Sequence, residues 1–273
     1  MKKILLSAII ALTSIAFAQA QFFGVDTDKL NNLIAGLTRL PYDNAKMLMT
    51  QTFKALENDG KGYRKAVEML ERLGDPTDSL HNEVLYLEGL KTVSSSFVLS
   101  NSEKERPNHL LEMAQKNAVG GMATDLALTT ANDKTVQLLA ADGGKCTLVF
   151  FNDLDCEACA LTRQALSAST TLGDAASKGL LRVVSVYTGK NAKAFKKTSY
   201  PAWVTSTWDK AQQVENGDAY ILTSTPLFYL INSDGRVLLK NEPSFTRVES
   251  AVTKVLANSD SKSAALVKML FNN

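Results

Sequence analysis

The chain is poor in the residues that usually announce function. It has three cysteines and two histidines in 273 residues. Three cysteines cannot build the dense disulfide framework of a small exported scaffold, and a chain this long can bury a core without one. Net charge is nearly absent too. Without Lys2 and Lys3 of the expected leader, the remaining 28 basic residues balance 28 acidic ones. That balance gives no electrostatic case for nucleic acid or an anionic membrane surface. Beyond the first twenty residues no run is long and apolar enough to span a bilayer. There is no internal repeat and no low-complexity tract.

What is present begins with that leader. Lys2 and Lys3 precede an apolar run from Ile4 to Ala18, and Ala18-Gln19-Ala20 supplies small residues at a cleavage spacing. The run is shorter than the ~20 residues of a spanning helix. A signal peptide over 1–20 is therefore expected, with export to the periplasm and no transmembrane segment after cleavage.

The remainder has two grammars. From 21 to 117 the apolar residues recur at helical spacing, as a small all-α domain. Leu30, Leu33, Ile34 and Leu37 form a stripe stopped by Pro41. Met47, Leu48, Phe53 and Leu56 form a second, closed by Asp59-Gly60. Tyr63, Ala66, Val67, Leu70 and Leu73 form a third. A longer fourth carries Leu80, Val84, Leu87, Leu90 and Phe97, and a short fifth runs from Leu110 to Asn117. After Gly120-Gly121 the period changes. Leu126–Thr130 and Thr135–Leu139 flank an Asn132-Asp133 turn, and Cys146–Phe151 is a continuous apolar run suited to a strand buried on both faces. A helix from Cys156 to about Leu172 follows. Then come a strand over Leu181–Tyr187, a short helix over Ala192–Lys197 and a strand over Ala202–Thr207. A hairpin pairs Leu227–Ile231 with Arg236–Lys240, and a helix spans Arg247–Ala257. Residues 118–258 are thus an α/β domain with a mixed sheet flanked by helices, and 259–273 is a tail.

Two cysteines, Cys156 and Cys159, stand two residues apart where the apolar strand gives way to a helix. Such a pair can hold a metal, form an inert staple or exchange electrons. Structural zinc wants four ligands, and both histidines, His81 and His109, fall in the helical half without catalytic company. A CxxC loop is too short to constrain much chain. A thiol at a helix N-terminus faces unpaired N–H groups and the positive end of the helix dipole, which favour a thiolate nucleophile. The second thiol, one turn on, can reach the first and resolve a mixed disulfide. Cys146, inside the apolar strand, reads as core. Trp203 and Trp208 read as half-buried aromatics, and Lys196-Lys197 as a solvated face.

With these residues in view, 119–258 resembles the thioredoxin superfamily, and within it the exported TlpA-like thiol–disulfide oxidoreductases. The resemblance rests on "CTLVFF" before Cys156-Glu157-Ala158-Cys159, on "LTSTPLFYLINSDGRVLLK", and on the hairpin "DLALTTANDKTVQL". It implies that Cys156 attacks, Cys159 resolves, and Glu157 and Ala158 tune the pair. It also implies that Pro226 is a cis proline shaping the substrate groove, with Thr225 pairing to a partner polypeptide. Otherwise Pro226 is an ordinary turn proline. The implied partners are protein thiols or disulfides and a membrane-linked redox protein, with no bound cofactor and no metal. Reductase is the favoured direction; a redox-inactive binding module and a disulfide isomerase are the alternatives. Three positions depart from the family. Asp155 replaces a tryptophan, and Phe150 and Thr162 stand where proton-handling acids are common. Asp153, Asp155 and Glu157 crowd the motif with negative charge, as a tuning device or as a solvated acidic loop.

Overall fold

The computed structural model describes residues 27–139, 144–216 and 219–272. The expected leader, 1–20, lies outside them. The described chain divides into two compact units, the first ending at Glu112 and the second beginning at Met113.

Five helices follow one another from the start of the first unit: α1 (Thr27–Leu37), α2 (Tyr42–Ala55), α3 (Gly60–Gly74), α4 (Glu83–Ser94) and α5 (Asn101–Gln115). Their buried residues repeat every three or four positions, as Leu30, Ile34 and Leu37 do on α1, and Tyr63, Ala66, Leu70 and Leu73 on α3. Polar residues fix where α3 and α4 start. Asp59 accepts the Gly62 N–H at 3.0 Å, and Asn82 accepts the Leu85 N–H at 3.1 Å.

Three details of the stripes differ from the sequence expectation. On α2 the buried face is Ala45, Met49 and Phe53, spaced by four; Met47 lies two residues off that row and is 43% exposed. Phe97 lies past the end of α4 and is 99% exposed, so it belongs to no stripe. α5 starts at Asn101, well before Leu110, and accommodates Pro107. Its start is set by a box of Ser100 and Glu103, in which Glu103 Oε2 accepts the Ser100 N–H at 2.8 Å and its hydroxyl at 2.7 Å.

The second unit is built on a seven-stranded sheet. Its strands are β1 (Ala127–Thr130), β2 (Thr135–Gln137), β3 (Cys146–Asn152), β4 (Leu181–Tyr187), β5 (Val204–Trp208), β6 (Leu227–Asn232) and β7 (Val237–Glu242), in the spatial order β2-β1-β5-β4-β3-β6-β7. β3, β4 and β5 run parallel and the remaining pairings are antiparallel. β3 is an interior strand between β4 and β6, and all of its residues are buried, as a run without alternation requires. Val149 and Phe151 join a core with Leu128, Val184, Val186 and Tyr229. Phe150 stacks on Phe228, centroids 4.8 Å apart. Aromatic packing of this kind adds to what the buried area alone contributes.

The helices of this unit are α6 (Glu157–Ala168), α7 (Thr170–Ser177), α8 (Ala192–Lys197), α9 (Phe245–Ala257) and α10 (Ser263–Phe271). The single helix expected from Cys156 to Leu172 is therefore two. Ser169 leaves helical geometry at φ −70°, ψ 108°, and its hydroxyl accepts the Leu172 N–H at 3.0 Å to open α7. The local "SASTT" is rich in side chains that compete for backbone hydrogen bonds, which favours such a break. The last segment, read as a tail, contains α10. That helix buries Leu266 and Val267 and packs on β7 and α9.

Candidate functional site

The sheet register explains why distant residues meet. β3 ends at Asn152, beside Tyr187 at the end of parallel β4. Antiparallel β6 begins at the same end, with Leu227 opposite Phe151. The chain leaving β3 carries Asp153 to Cys156, and the chain entering β6 carries Ser224, Thr225 and Pro226. One edge of the sheet thus receives both, at the carboxyl ends of the parallel strands. The Thr225–Pro226 peptide bond is cis.

Cys156 is the N-cap of α6. It is extended at φ −95°, ψ 121°, and its Sγ accepts the Cys159 N–H at 3.1 Å. Its thiol also points at the Thr225 carbonyl oxygen, 3.6 Å away. Cys156 is half-buried, whereas Cys159 is fully buried. The Cys159 sulfur accepts the Asp153 N–H at 3.5 Å. Burial, reinforced by the neighbouring Cys156, pushes the Cys159 thiol pKa up; the Thr225 and Asp153 donors only partly offset this. The outer sulfur is reachable and the inner one keeps its proton, an asymmetry that suits attack by one and later resolution by the other. Glu157 and Ala158, between them, are exposed on the first turn of α6.

The third thiol, Cys146, starts β3 and is buried; desolvation alone pushes its pKa up to about 12. Among the described residues no group of three or more His, Cys, Asp or Glu side chains is placed to hold a metal. No described helix is long and apolar enough to cross a membrane. Trp208 is buried with Tyr187 and Phe195 and donates to the Gly189 carbonyl at 2.8 Å, while Trp203 is half-buried. Lys196 pairs with Asp133 at 2.8 Å on an exposed face.

At the departures from the family pattern, Phe150 is core, Asp155 is exposed and Thr162 is half-buried. Residues that the sequence reading did not single out form a polar floor at the end of β3. Asn152 Nδ2 donates to Ser185 Oγ at 3.0 Å, and Ser185 Oγ donates to the Tyr200 hydroxyl at 2.7 Å. The Tyr200 hydroxyl in turn donates to Asn152 Oδ1 at 3.2 Å, closing a ring. Arg163 Nη1 donates to Asn152 Oδ1 at 3.3 Å and to the Asp153 carbonyl at 3.2 Å. Desolvation raises the Tyr200 pKa, and the charge of Arg163 opposes that rise. Two of these residues had a legible signal. Arg163 is four positions after Cys159 on one helix face, and Asn152 is the polar end of an apolar strand. Tyr200 had none, because only the tertiary fold brings it to Asn152.

Beside the pair lies a cleft of about 710 Å³ that includes Asp153, Thr188, Lys190, Glu215, Leu222 and Thr225. Lys190 and Glu215 pair at 3.4 Å, both largely exposed. An ion pair so exposed adds little stability. The cleft therefore offers both charges to a ligand alongside an apolar wall.

A family described as a domain of unknown function (DUF5106) matches residues 21–117. Among curated proteins none matches the chain. The chain is similar to the crystal structure of a thioredoxin-like protein from Bacteroides caccae, with 26% identity and a TM-score of 0.72 over 83% of this chain and 80% of that one. This coverage takes in more of the chain than the second unit alone supplies, so it includes part of the helical unit. A C-terminal domain of an uncharacterized protein from Bacteroides fragilis is 27% identical over 50% of this chain and 99% of its own, with a TM-score of 0.47. The thioredoxin domain of a thiol-disulfide oxidoreductase from Bacteroides vulgatus is 21% identical over 50% of this chain and 98% of its own, with a TM-score of 0.39. The fold of this chain is thioredoxin-like: a mixed sheet flanked by helices, preceded by a helical region.

Proposed function

We propose that this protein is an exported thiol–disulfide oxidoreductase of the TlpA-like kind, working on protein partners in the periplasm. The observation that carries the reading is the setting of Cys156. Its sulfur caps α6, receives the Cys159 N–H at 3.1 Å and faces the carbonyl of Thr225, next to the cis Pro226, at 3.6 Å. Acting as a reductase, the Cys156 thiolate attacks a partner disulfide. A Cys156–partner S–S bond forms, the partner's own S–S bond breaks, and the first partner sulfur leaves and takes a proton. Cys159 then gives up its proton to solvent and bonds to the Cys156 sulfur. The second partner sulfur leaves and is protonated. The protein dithiol has lost two electrons and the partner disulfide has gained them; a membrane-linked dithiol donor restores the reduced pair.

No cofactor enters this scheme. Glu157 and Ala158 act only through the pair's poise, and Thr225 and Pro226 form the ledge against which an extended partner lies. A second reading, a binding module without turnover, draws support from the apolar Phe150 at the place of a proton-handling acid.

The deciding experiment is equilibration of the purified protein in a glutathione redox series, read by thiol alkylation and mass. A midpoint near or below that of thioredoxin, about −270 mV, supports a reductase. A midpoint near the glutathione pool or above it moves the reading to an oxidase or isomerase. A Cys156–Cys159 pair that stays oxidised under strong reductant sinks the exchange reading and leaves the binding module.

A further inference from the structure

Exchange through this pair has a physical difficulty at its second step. Cys159 must become a thiolate, yet it is fully buried, and the acids that handle its proton elsewhere in the family are replaced here by Phe150 and Thr162. Around Cys159, Cys156 comes from the start of α6, and Arg163 stands four positions further along the same helix. The Asp153 N–H comes from the loop after β3, the Thr225 side chain from the loop before β6, and the Tyr200 hydroxyl from the loop before β5. Arg163 is the cation in this set. A guanidinium keeps its charge at any working pH, and its planar fork can be fixed by two acceptors.

We propose, resting on the exchange reading, that Arg163 is the positioning residue for the resolving step, set by Asn152 and the Asp153 carbonyl to hold positive charge beside Cys159 as its sulfur ionises. The geometry supports this in three ways. Arg163 follows Cys159 by one helical turn on the same face. Its Nη1 is held at 3.3 Å by Asn152 Oδ1 and at 3.2 Å by the Asp153 carbonyl. Asp153 is also the residue whose N–H reaches the Cys159 sulfur at 3.5 Å.

The ring of Asn152, Ser185 and Tyr200 keeps that arrangement from relaxing. Asn152 is fully buried, and its amide nitrogen also donates to the Val186 carbonyl at 3.1 Å, so Oδ1 has one orientation to offer. The Tyr200 hydroxyl donates to the same Asn152 Oδ1 that holds Arg163, at 3.2 Å and 3.3 Å respectively. Arg163 takes no proton in this scheme. The proton of Cys159 leaves to solvent, and the guanidinium lowers the free energy of the anion left behind.

A charge acting only on the thiolate of Cys159 changes a rate without changing the poise. At neutral pH Cys159 is a thiol in the reduced protein with or without Arg163, so the midpoint of the pair stays where it is. The resolving rate responds, because a raised pKa lowers the thiolate population, while greater intrinsic nucleophilicity recovers part of the loss. The net slowing is about threefold to tenfold.

The test uses the full reduced protein and the aromatic disulfide 5,5′-dithiobis(2-nitrobenzoate) in stopped flow. Attack by Cys156 releases one coloured thiolate, and resolution by Cys159 releases a second, so the two steps read as two phases. Arg163→Gln is expected to leave the first phase within about twofold and to slow the second about threefold to tenfold, with the glutathione midpoint unchanged. Arg163→Lys, which keeps charge but not the fork, is expected to recover most of the second-phase rate. A second phase unaffected in Arg163→Gln, or equally slow in Gln and Lys variants, overturns the assignment of charge to Arg163. Loss of both phases in the wild type would sink the exchange reading itself, which separates the two failures.

Discussion

α6 and α7 are consecutive helices opened in the same way by different atoms. At the start of α6 the Cys156 sulfur accepts the amide three residues on at 3.1 Å; at the start of α7 the Ser169 hydroxyl does the same at 3.0 Å. Serine is among the preferred N-caps, and sulfur is a weak acceptor. Ser169 is buried and also donates to Glu249 Oε1 at 2.5 Å, tying α7 to α9. Cys156 is half-exposed and looks toward the loop before β6. The side-chain caps described for α3, α4, α8 and α9 are Asp59, Asn82, Asn191 and Ser244, all of the preferred kind. The rule that governs helix starts in this chain is relaxed at Cys156, the sulfur that the exchange reading makes the attacking atom. Such local departures from stability rules are where function is expected to sit.

The comparison can be broken most forcefully at Cys156. Cys156→Ser supplies a better cap atom and a much poorer nucleophile. Reduction of insulin with dithiothreitol as donor is expected to fall to the uncatalysed rate, a loss of several orders of magnitude on the exchange reading. The midpoint of urea unfolding should stay level or rise slightly, because oxygen replaces sulfur at the cap. Turnover that survives in the variant, or a fall in stability beyond about 1 kcal/mol, would mean that Cys156 is a structural residue like its neighbour.

Much of this arrangement is legible in the sequence itself. The continuous apolar run of β3, the Asn-Ser-Asp-Gly hairpin between β6 and β7, and the switch from helical to alternating period are local patterns, and local patterns survive in a sequence. The thiols and the Thr225–Pro226 pair were singled out as well. The resemblance supplied their roles, and the fold brings Cys156 Sγ within 3.6 Å of the Thr225 carbonyl. What escaped was non-local or competed with a local rule. The first half of α5 escaped because it contains Pro107 and carries few apolar residues at helical spacing. Ser169 was absorbed into one long helix because the apolar Leu166 and Leu172 bridged it in spacing. Tyr200 meets Asn152 only through the sheet, 48 residues along the chain, and no spacing rule reaches that far.

The structural partner in the comparison gives the next largest effect. Ser169→Ala removes the α7 cap and one hydrogen bond to a carboxylate at a buried site. A cap is worth about 1 kcal/mol, and a bond to a charged acceptor about 1.5–3 kcal/mol, though removing one shared atom does not add the two in full. A destabilisation of about 2 kcal/mol in urea unfolding is expected, with the Cys156–Cys159 midpoint unchanged. A shift of that midpoint would show that the two helix starts are coupled, and the contrast between them would lose its meaning.

Cys146 sharpens the contrast from the opposite side, as a thiol inside a buried strand and not at the cap of a helix. Burial alone holds its pKa up at about 12, whereas a cysteine in the unfolded chain titrates near 8.5. Above about pH 8.5 the unfolded chain therefore loses a proton that the folded protein keeps. The stability due to this thiol is complete below that pH. It declines by roughly 1.4 kcal/mol per pH unit until the folded thiol itself ionises near 12. Cys159 and the tyrosines whose pKa is raised, among them Tyr86 and Tyr220, pull the same way, so the slope belongs to Cys146 only by difference. In urea unfolding of wild type and Cys146→Ala at about pH 7 and about pH 10, the variant should lose less stability between the two, by roughly 2 kcal/mol. Equal losses would mean that the Cys146 thiol ionises in the folded protein as readily as in the unfolded chain, and the start of β3 would then be no drier than its end.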